Sequence, residues 1–321
     1  MCRSSSPATA RDTELKAATT ARRWRPGAWS RAWSSQWAAG LLAAALLAQA
    51  TPAWACASCS SGGDEPLVLY PNEAWKLYLG LARQGAYRYL QADGQVGWQD
   101  GPQHQDSLTL AVGRGLTRAI FVTVTAPMLR QTGAAGAAWG LGDLSLNARW
   151  TLLPQTFVAP WRPQLQLSSG YRLPTASLWS WRQADLGMAA AEARLGTDLW
   201  WGMHAWQAGS AAWLLLPHPY VTGQGRVQPG MGLRLLATVA YRVPLGRLGL
   251  GLVHERRGRL RAEGRLVAGS QVQQNALFAT LEAQIGGGQA VRLMVSRSAV
   301  FLSRNARQST AITLAWIGAW S

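Results

Sequence analysis

"GLRLLATVAYRV", residues 232–243, carries an apolar side chain at every second position. One set of positions holds Leu233, Leu235, Ala237, Val239, Tyr241 and Val243, and the other set includes Arg234, Thr238 and Arg242. Because successive side chains of a β-strand point to opposite faces, this stretch predicts a strand with one apolar and one partly polar face. A strand of this length exceeds the usual five or six residues of soluble proteins and can cross a bilayer at a tilt.

The same alternation recurs along the chain. It is visible in "DLSLNARWTL" at 143–152, "PQLQLSSGYRL" at 163–173, "ALFATLEAQI" at 276–285 and "STAITLAWIGAW" at 309–320. The polar faces carry arginine, glutamine and glutamate, which are costly in a soluble sandwich core but belong in a wet lumen. The sequence therefore predicts an all-β chain, with a single transmembrane antiparallel β-barrel of about 12 strands over residues 75–321.

The connections between these segments differ in length on the two predicted sides of the membrane. Short periplasmic turns are predicted at 116–118, 208–209, 244–246 and 286–288. Longer polar or glycine-rich loops are predicted on the outer side, among them "FLSRNARQS" at 301–309. An even number of strands returns the last strand to the side of the first, where the two can pair and leave no open edge.

The sequence of the N-terminal region predicts that the protein is exported across the inner membrane. The apolar run "WAAGLLAAALLAQATPAWA", residues 37–55, follows several arginines and ends in an Ala-x-Ala site. This is typical of a Sec-type signal peptide over residues 1–55, cleaved before Cys56. Residues 1–20 add nothing that a signal peptide needs, so an over-long start is an alternative for them.

A Cys-x-x-Cys motif follows the predicted cleavage site. Residues 56–74 are predicted to form a periplasmic N-terminal segment that contains Cys56 and Cys59. Two cysteines at this spacing can close a disulfide, act as a redox pair or supply half of a metal site, and lipidation of Cys56 is a further alternative; all of these stay open. Neither a cofactor nor a complete metal site is predicted.

The chain is strongly basic, with a formal net charge of +16. Its arginines sit singly within strand-like segments instead of in runs, a distribution that does not favour nucleic acid as a partner. It suits a barrel lumen instead. The predicted lumen-lining residues are Arg149, Arg172, Arg194, Arg234, Arg242 and Arg292, together with the acidic Glu282 and Asp198.

No catalytic constellation is apparent in the sequence. The four histidines, at positions 104, 204, 218 and 254, fall in different predicted loops or strands. No serine or cysteine lies in a recognisable nucleophile motif. The protein is therefore predicted not to be an enzyme.

The aromatic residues and the C-terminal strand add a membrane signature. Tryptophans at or near predicted strand ends indicate an interfacial girdle: Trp75, Trp150, Trp161, Trp200, Trp201, Trp316 and Trp320. Ile312, Leu314, Trp316 and Trp320 are predicted to face lipid. The terminal strand resembles the C-terminal signal of Gram-negative outer-membrane proteins that the barrel-assembly machinery reads, except that Ser321 follows the aromatic residue.

Two further stretches resemble a transporter family. "GLGDLSLNARWTLL" at 140–153, followed by "PQLQLSSGYRLPTA" at 163–176, is similar to paired segments of the outer-membrane transporters grouped with the phenol-degradation meta-pathway protein. Ala176 stands where that family usually has glycine, and "RLGTDLW" at 194–200 looks like its next strand. The resemblance implies a barrel that moves small, often hydrophobic molecules, and it transfers no binding residue.

These observations predict a channel or transporter in the Gram-negative outer membrane for small molecules, either hydrophobic or anionic. Its expected partners are outer-membrane lipid, the barrel-assembly machinery and a small-molecule cargo that the sequence does not identify. The alternative is a barrel without a transport role. It would be a surface-binding or structural protein, or the docking partner of a periplasmic redox or metal protein through the Cys56 and Cys59 motif.

Overall fold

The computed structural model describes residues 74–320, except 91–94, 134–135, 156–161, 176–189, 204 and 223–224. Seventeen β-strands make up its secondary structure: β1 Trp75–Leu90, β2 Val96–Gly115, β3 Ile120–Gly133, β4 Gly136–Leu141, β5 Leu144–Leu153, β6 Gln164–Leu173, β7 Glu192–Met203, β8 Trp206–Pro217, β9 Tyr220–Thr222, β10 Gly225–Gln228, β11 Gly232–Val243, β12 Gly246–Arg257, β13 Arg261–Ala262, β14 Arg265–Leu266, β15 Val272–Gly286, β16 Gln289–Arg304 and β17 Ala306–Trp320. Within these described ranges, no helix is long and apolar enough to span a membrane.

The long strands form one closed antiparallel barrel. Their order is β2-β1-β17-β16-β15-β12-β11-β8-β7-β6-β5-β3-β4, and the additional pairing of β2 with β3 closes the sheet. β4 and β5 both pair with β3 and are two halves of one crossing, interrupted at Gly142 and Asp143. The barrel therefore has 12 crossings, which confirms the predicted fold.

The barrel closes where β1 meets β17. Their register runs from Trp75 opposite Trp320 to Leu90 opposite Ala306, with a bulge between Ala86 and Arg88. The backbone N–H of Ala74 adds a 2.7 Å hydrogen bond to the Trp320 carbonyl. This pairing leaves neither strand with an open edge.

The two ends of the barrel differ in their connections. At the short-turn end, where β1 begins and β17 ends, Val243 and Gly246 are separated by two residues, and Gly286 and Gln289 by two glycines. The glycines at 286–288 have φ values of 98°, 59° and 76°, which β-carbon-bearing residues rarely adopt. At the opposite long-loop end, the connections 174–191, 218–231 and 258–271 are much longer.

Two predicted connections are wrong. Ala208 and Gly209 lie inside β8, which begins at Trp206, and β7 already ends at Met203. The ring of Trp200 occupies the space that a Cβ at Gly209 would fill, so this glycine allows packing and does not make a turn. The predicted loop 301–309 is a tight turn at Asn305, whose φ is 50° and whose side-chain amide donates to the Gln271 carbonyl at 2.7 Å.

A second, small sheet lies in the long loops and was not predicted. It has the order β14-β13-β10-β9, so the connection from β8 to β11 pairs with the connection from β12 to β15. The Glu263 carboxylate accepts a hydrogen bond from the backbone N–H of Arg226 and ties the same two loops together. These strands have only two to four residues, too few to show an alternation in the sequence.

The outward face of the barrel is a continuous apolar band. Exposed leucines occur on it all around the sheet, for example Leu81, Leu146, Leu195, Leu250 and Leu314. Exposed charged side chains follow the band toward the long-loop end: Arg83, Arg130, Arg256 and Arg297. An apolar surface of this kind, bounded by charges, is the outer wall of a transmembrane barrel.

Tryptophans line this band near the short-turn end. Trp75, Trp150, Trp201, Trp206 and Trp320 are exposed there. The Trp206 ring packs against Tyr241 with the ring centroids 4.8 Å apart. Trp200 departs from the predicted girdle because its side chain turns inward over Gly209, and Trp161 lies outside the described residues.

Candidate functional site: the barrel interior

The alternation of the strands decides which side chains reach the barrel interior. On β11, Leu233 and Val239 are each 43% exposed, whereas Leu236 and Ala240 on the opposite face are 5% and 3% exposed. The cross-strand pairing carries this division into each neighbouring strand of the barrel. The interior face is therefore the buried one, and it contains polar and charged side chains as well as apolar ones.

One charged cluster lies near the short-turn end. Arg247, Glu282 and Arg292 sit directly opposite one another on β12, β15 and β16. The Glu282 carboxylate lies 3.5 Å from Arg247 Nη1 and 2.5 Å from Arg292 Nη2. All three residues are buried, as is Lys76, which enters the interior from the start of β1. A carboxylate between two guanidinium groups is held in a fixed position.

A second ion pair lies midway along the barrel. Arg149 Nε is 3.7 Å from Asp198 Oδ2, and both side chains are almost fully buried. β6 separates their strands, so the pair reaches past one strand of the wall. The wall around it is polar and includes the buried residues Asn147, Gln166 and Ser168.

A third cluster lies at the long-loop end. Glu192 is fully buried, and its carboxylate accepts hydrogen bonds from Arg194 Nε at 3.0 Å and Arg257 Nη1 at 2.6 Å. Arg257 Nε also donates to Glu255 at 2.7 Å, and Arg234 Nε lies 3.8 Å from the same carboxylate. The cluster joins β7 to β11 and β12 through a continuous chain of charges.

Apolar side chains fill part of the interior between these charges. Tyr78, Ala111, Phe121, Ala315 and Ile317 form one buried cluster, and Ala211, Leu236 and Phe278 form the centre of another. Glycines make room for the larger rings: a Cβ at Gly251 would overlap Phe278, and a Cβ at Gly196 would overlap Trp213. Across Gly196, the Trp213 indole N–H donates to Ser168 Oγ at 3.0 Å. These contacts narrow the interior.

All the predicted lumen residues lie on strand positions of this interior face. Arg149, Arg194, Glu282 and Arg292 are buried, Arg172 and Arg234 are half-buried, and Arg242 is exposed near the short-turn end. Arg194 and Arg234 join one cluster, Glu282 and Arg292 join another, and Arg149 pairs with Asp198. That they line a pathway stays a prediction.

Sequence reasoning missed five charged interior residues: Lys76, Glu192, Arg247, Glu255 and Arg257. These residues continue the same period-two pattern that the sequence shows for the rest of each strand. Glu192 stands two residues before Arg194, and Arg247 stands two residues before Gly249 on the interior face. Extending the period of two to the strand ends would have placed them inside the barrel.

The remaining sequence predictions concern the two cysteines, the histidines and metal binding. Cys56 and Cys59 lie outside the described residues, as do the signal peptide and nearly all of the segment 56–74. His254 Nδ1 lies 2.8 Å from Asn275 Oδ1, and His218 packs near Tyr171 with the ring centroids 5.7 Å apart. Among the described residues, no three His, Cys, Asp or Glu side chains are grouped to hold a metal ion.

Comparison with solved structures shows what this barrel is similar to. A crystal structure of an outer-membrane channel from Pseudomonas putida F1 has 15% sequence identity and a TM-score of 0.67, with 81% of this chain and 99% of that chain covered. The likeness confirms an outer-membrane-type β-barrel fold. At this identity it concerns the fold alone. No family model and no curated protein matches the sequence.

Other barrels are less similar. The translocator domain of the autotransporter NalP from Neisseria meningitidis has 12% identity and a TM-score of 0.43, covering 89% of this chain and 95% of that chain. The CymD monoaromatic hydrocarbon channel has 8% identity and a TM-score of 0.42, covering 78% and 89% respectively.

Proposed function

We propose that the protein is a channel of the Gram-negative outer membrane through which small molecules, anions in particular, cross by diffusion. The observation that carries the proposal is the division between the two faces of the closed barrel. The outward face is apolar and exposed, as lipid contact requires, whereas the inward face holds charged and polar side chains. The Sec-type export and the assembly by the barrel machinery that the sequence predicts are part of this proposal.

The preference for anions rests on the interior charges. Among the residues whose side chains the structure describes, strand positions on the interior face carry nine cations, Lys76, Arg149, Arg172, Arg194, Arg234, Arg242, Arg247, Arg257 and Arg292, against four carboxylates, Glu192, Asp198, Glu255 and Glu282. A narrow pore lined by one sign of charge raises the local concentration of the opposite ion. The net positive interior therefore favours anions.

Polar atoms along the interior wall support a hydrated passage. The side-chain oxygens of Thr125, Asn147 and Gln166 are buried and have no hydrogen-bond partner within the described part of the protein. Each belongs to a residue on β3, β5 or β6 that faces the interior. Buried polar atoms are normally paired, so these oxygens are suited to bind water or polar groups of a passing molecule.

The experiment is a measurement of ion current across a planar bilayer. The protein is first shown to be a membrane barrel by the shift of its gel mobility on boiling. Its reversal potential is then measured in a potassium chloride gradient, and we expect a sign that indicates chloride preference. A barrel that inserts and shows the mobility shift but passes no current would contradict the proposal.

The second candidate is a barrel without a transport role, and the interior packing favours it. Two apolar clusters and three charged clusters cross-link strands inside the barrel. Small barrels with filled interiors conduct poorly. The absence of current in the same bilayer experiment is the result that this candidate predicts.

A further inference from the structure

We infer that Arg242, Arg247 and Arg292, arranged around Glu282, form a binding site for an oxyanion, a carboxylate or a phosphate group on a small molecule. The site lies inside the barrel at its short-turn end. The inference rests on the proposed channel function and gives it a class of cargo and a place where that cargo binds.

The four residues form one row across four adjacent strands. Arg242 of β11 is directly opposite Arg247 of β12, Arg247 is opposite Glu282 of β15, and Glu282 is opposite Arg292 of β16. The pairing places all four side chains on the interior face. The turn between Arg242 and Arg247 contains only Pro244 and Leu245 beyond the strand ends, so the row lies at the mouth of the barrel.

The row has more positive than negative charge. Glu282 is the single carboxylate within it, and both of its oxygens are already engaged, Oε1 by Arg247 and Oε2 by Arg292. Arginine remains protonated in proteins, and buried guanidinium groups are costly unless an anion compensates them. Lys76, also buried and facing inward, adds a further positive charge at the same end of the barrel.

Arg242 is the member of the row that has no carboxylate beside it among the described residues. Its side chain is exposed, and its direct cross-strand neighbour is another arginine. Like charges in directly opposite positions destabilise a sheet. An oxyanion between Arg242 and Arg247 would remove that repulsion, because planar guanidinium groups bind carboxylate and phosphate oxygens in pairs.

The row of arginines around Glu282 is better placed to bind a cargo than to act as a purely structural ion pair. Arg149 and Asp198, midway along the barrel, form a pair of equal and opposite charges that is almost fully buried. The row instead combines buried arginines with an exposed one at the mouth, where an anion can enter from solvent. A transient site needs this accessibility, because a cargo must also leave.

The test measures anion binding without using transport as the readout. The mature chain in detergent micelles is heated at several concentrations of inorganic phosphate and, separately, of succinate, with ionic strength held constant by sodium chloride. The midpoint of the heat-induced mobility shift reports unfolding, since a ligand that binds the folded state raises it. We expect phosphate, succinate or both to raise the midpoint in the unchanged protein.

Three variants test whether the row of arginines causes the rise in the unfolding midpoint. Arg242→Gln changes an exposed side chain, and we expect it to weaken anion binding about tenfold or more, as the loss of a charge-assisted contact implies. Arg247→Lys keeps the charge but removes the planar fork, so it should also weaken binding. Arg297→Gln is the matched control, because this exposed arginine faces outward on β16, opposite Leu277. It should leave binding unchanged.

The outcomes separate this inference from the proposed function. An unchanged protein that binds neither anion, or an Arg242→Gln variant that binds them as tightly as the unchanged protein, overturns the inference even if the barrel conducts. Anion binding that depends on Arg242 supports the site. A barrel that binds in this way but passes no current contradicts the channel function and leaves the binding site standing.

Discussion

Arg257 Nη1 lies 2.6 Å from Glu192 Oε2, although β8 and β11 separate their strands, β12 and β7, in the wall of the barrel. The contact therefore cuts across the interior near the long-loop end instead of following the sheet. Arg194 holds the other oxygen of the same carboxylate at 3.0 Å. Glu192 is the point at which two distant parts of the wall are joined.

Replacing Glu192 by glutamine should weaken the contact between β7 and β12 and widen the barrel interior at that point. Breaking a buried ion pair commonly costs about 3–5 kcal/mol, although Arg257 keeps Glu255 as a partner and this reduces the loss. We expect the variant to unfold at a lower temperature and to show a larger single-channel current with stronger anion preference. Asp106→Asn, which changes an exposed carboxylate on the outward face, is the control. A current no larger than that of the control would contradict a constriction at Glu192.

The outward band gives a test of membrane insertion. Leu250 is 63% exposed at the middle of β12, and Leu245 is 70% exposed in the turn that precedes that strand. Arginine on the lipid face costs about 2–4 kcal/mol at the bilayer midplane and little near the interface. Leu250→Arg should therefore destabilise the barrel in lipid vesicles, and Leu245→Arg should not. Unfolding in urea would measure both, and equal stabilities would show that Leu250 does not contact lipid.

The interior aromatic packing predicts a large effect of a small substitution. A Cβ at Gly251 would overlap the Phe278 ring, which belongs to the buried cluster with Leu236. Gly251→Ala should destabilise the barrel by about 1–3 kcal/mol, the usual cost of overpacking. Gly202→Ala is the matched control, because a Cβ at Gly202 would lie 3.5 Å from the nearest atom, at ordinary contact distance. A Gly251→Ala barrel that unfolds at the temperature of the unchanged protein would contradict this packing.

Substitution of Cys56 and Cys59 distinguishes a channel from a docking protein. For a channel, changing both Cys56 and Cys59 to serine should leave the gel mobility shift and the ion current unchanged. A docking partner of a periplasmic redox protein would lose its function while keeping the mobility shift. Both readouts can be taken on the same outer-membrane preparation.

The architecture could be predicted because period-two alternation reports directly on the two faces of a strand. In residues 232–243, the predicted apolar face from Leu233 to Val243 is the outward one, whereas Leu236 and Ala240 add apolar side chains to the inward face. The C-terminal strand gives the same result, with Ile312 and Leu314 exposed and Ala315 and Ile317 buried. Where the inward face of a strand is also apolar, the sequence shows no alternation, and the inward and outward residues cannot be distinguished.

The contacts inside the barrel could not be predicted. The partner of Arg257 depends on the relative register of four strands, and the turns that set this register could be placed from the sequence only to within a few residues. Gly209 illustrates the ambiguity, because glycine is typical both of a turn and of a close approach to an aromatic ring. The position of Asn305 was missed for a similar reason, since a single left-handed residue replaced the expected long loop.

The pairing of β1 with β17 has a consequence for how the protein is made. The strand that closes the barrel follows all the others along the chain, so no shorter product of translation can complete the cylinder. Without β17, the edges of β1 and β16 that it covers would both be unpaired. A chain cut short within β17 is therefore expected to pair edge to edge with other chains and to aggregate.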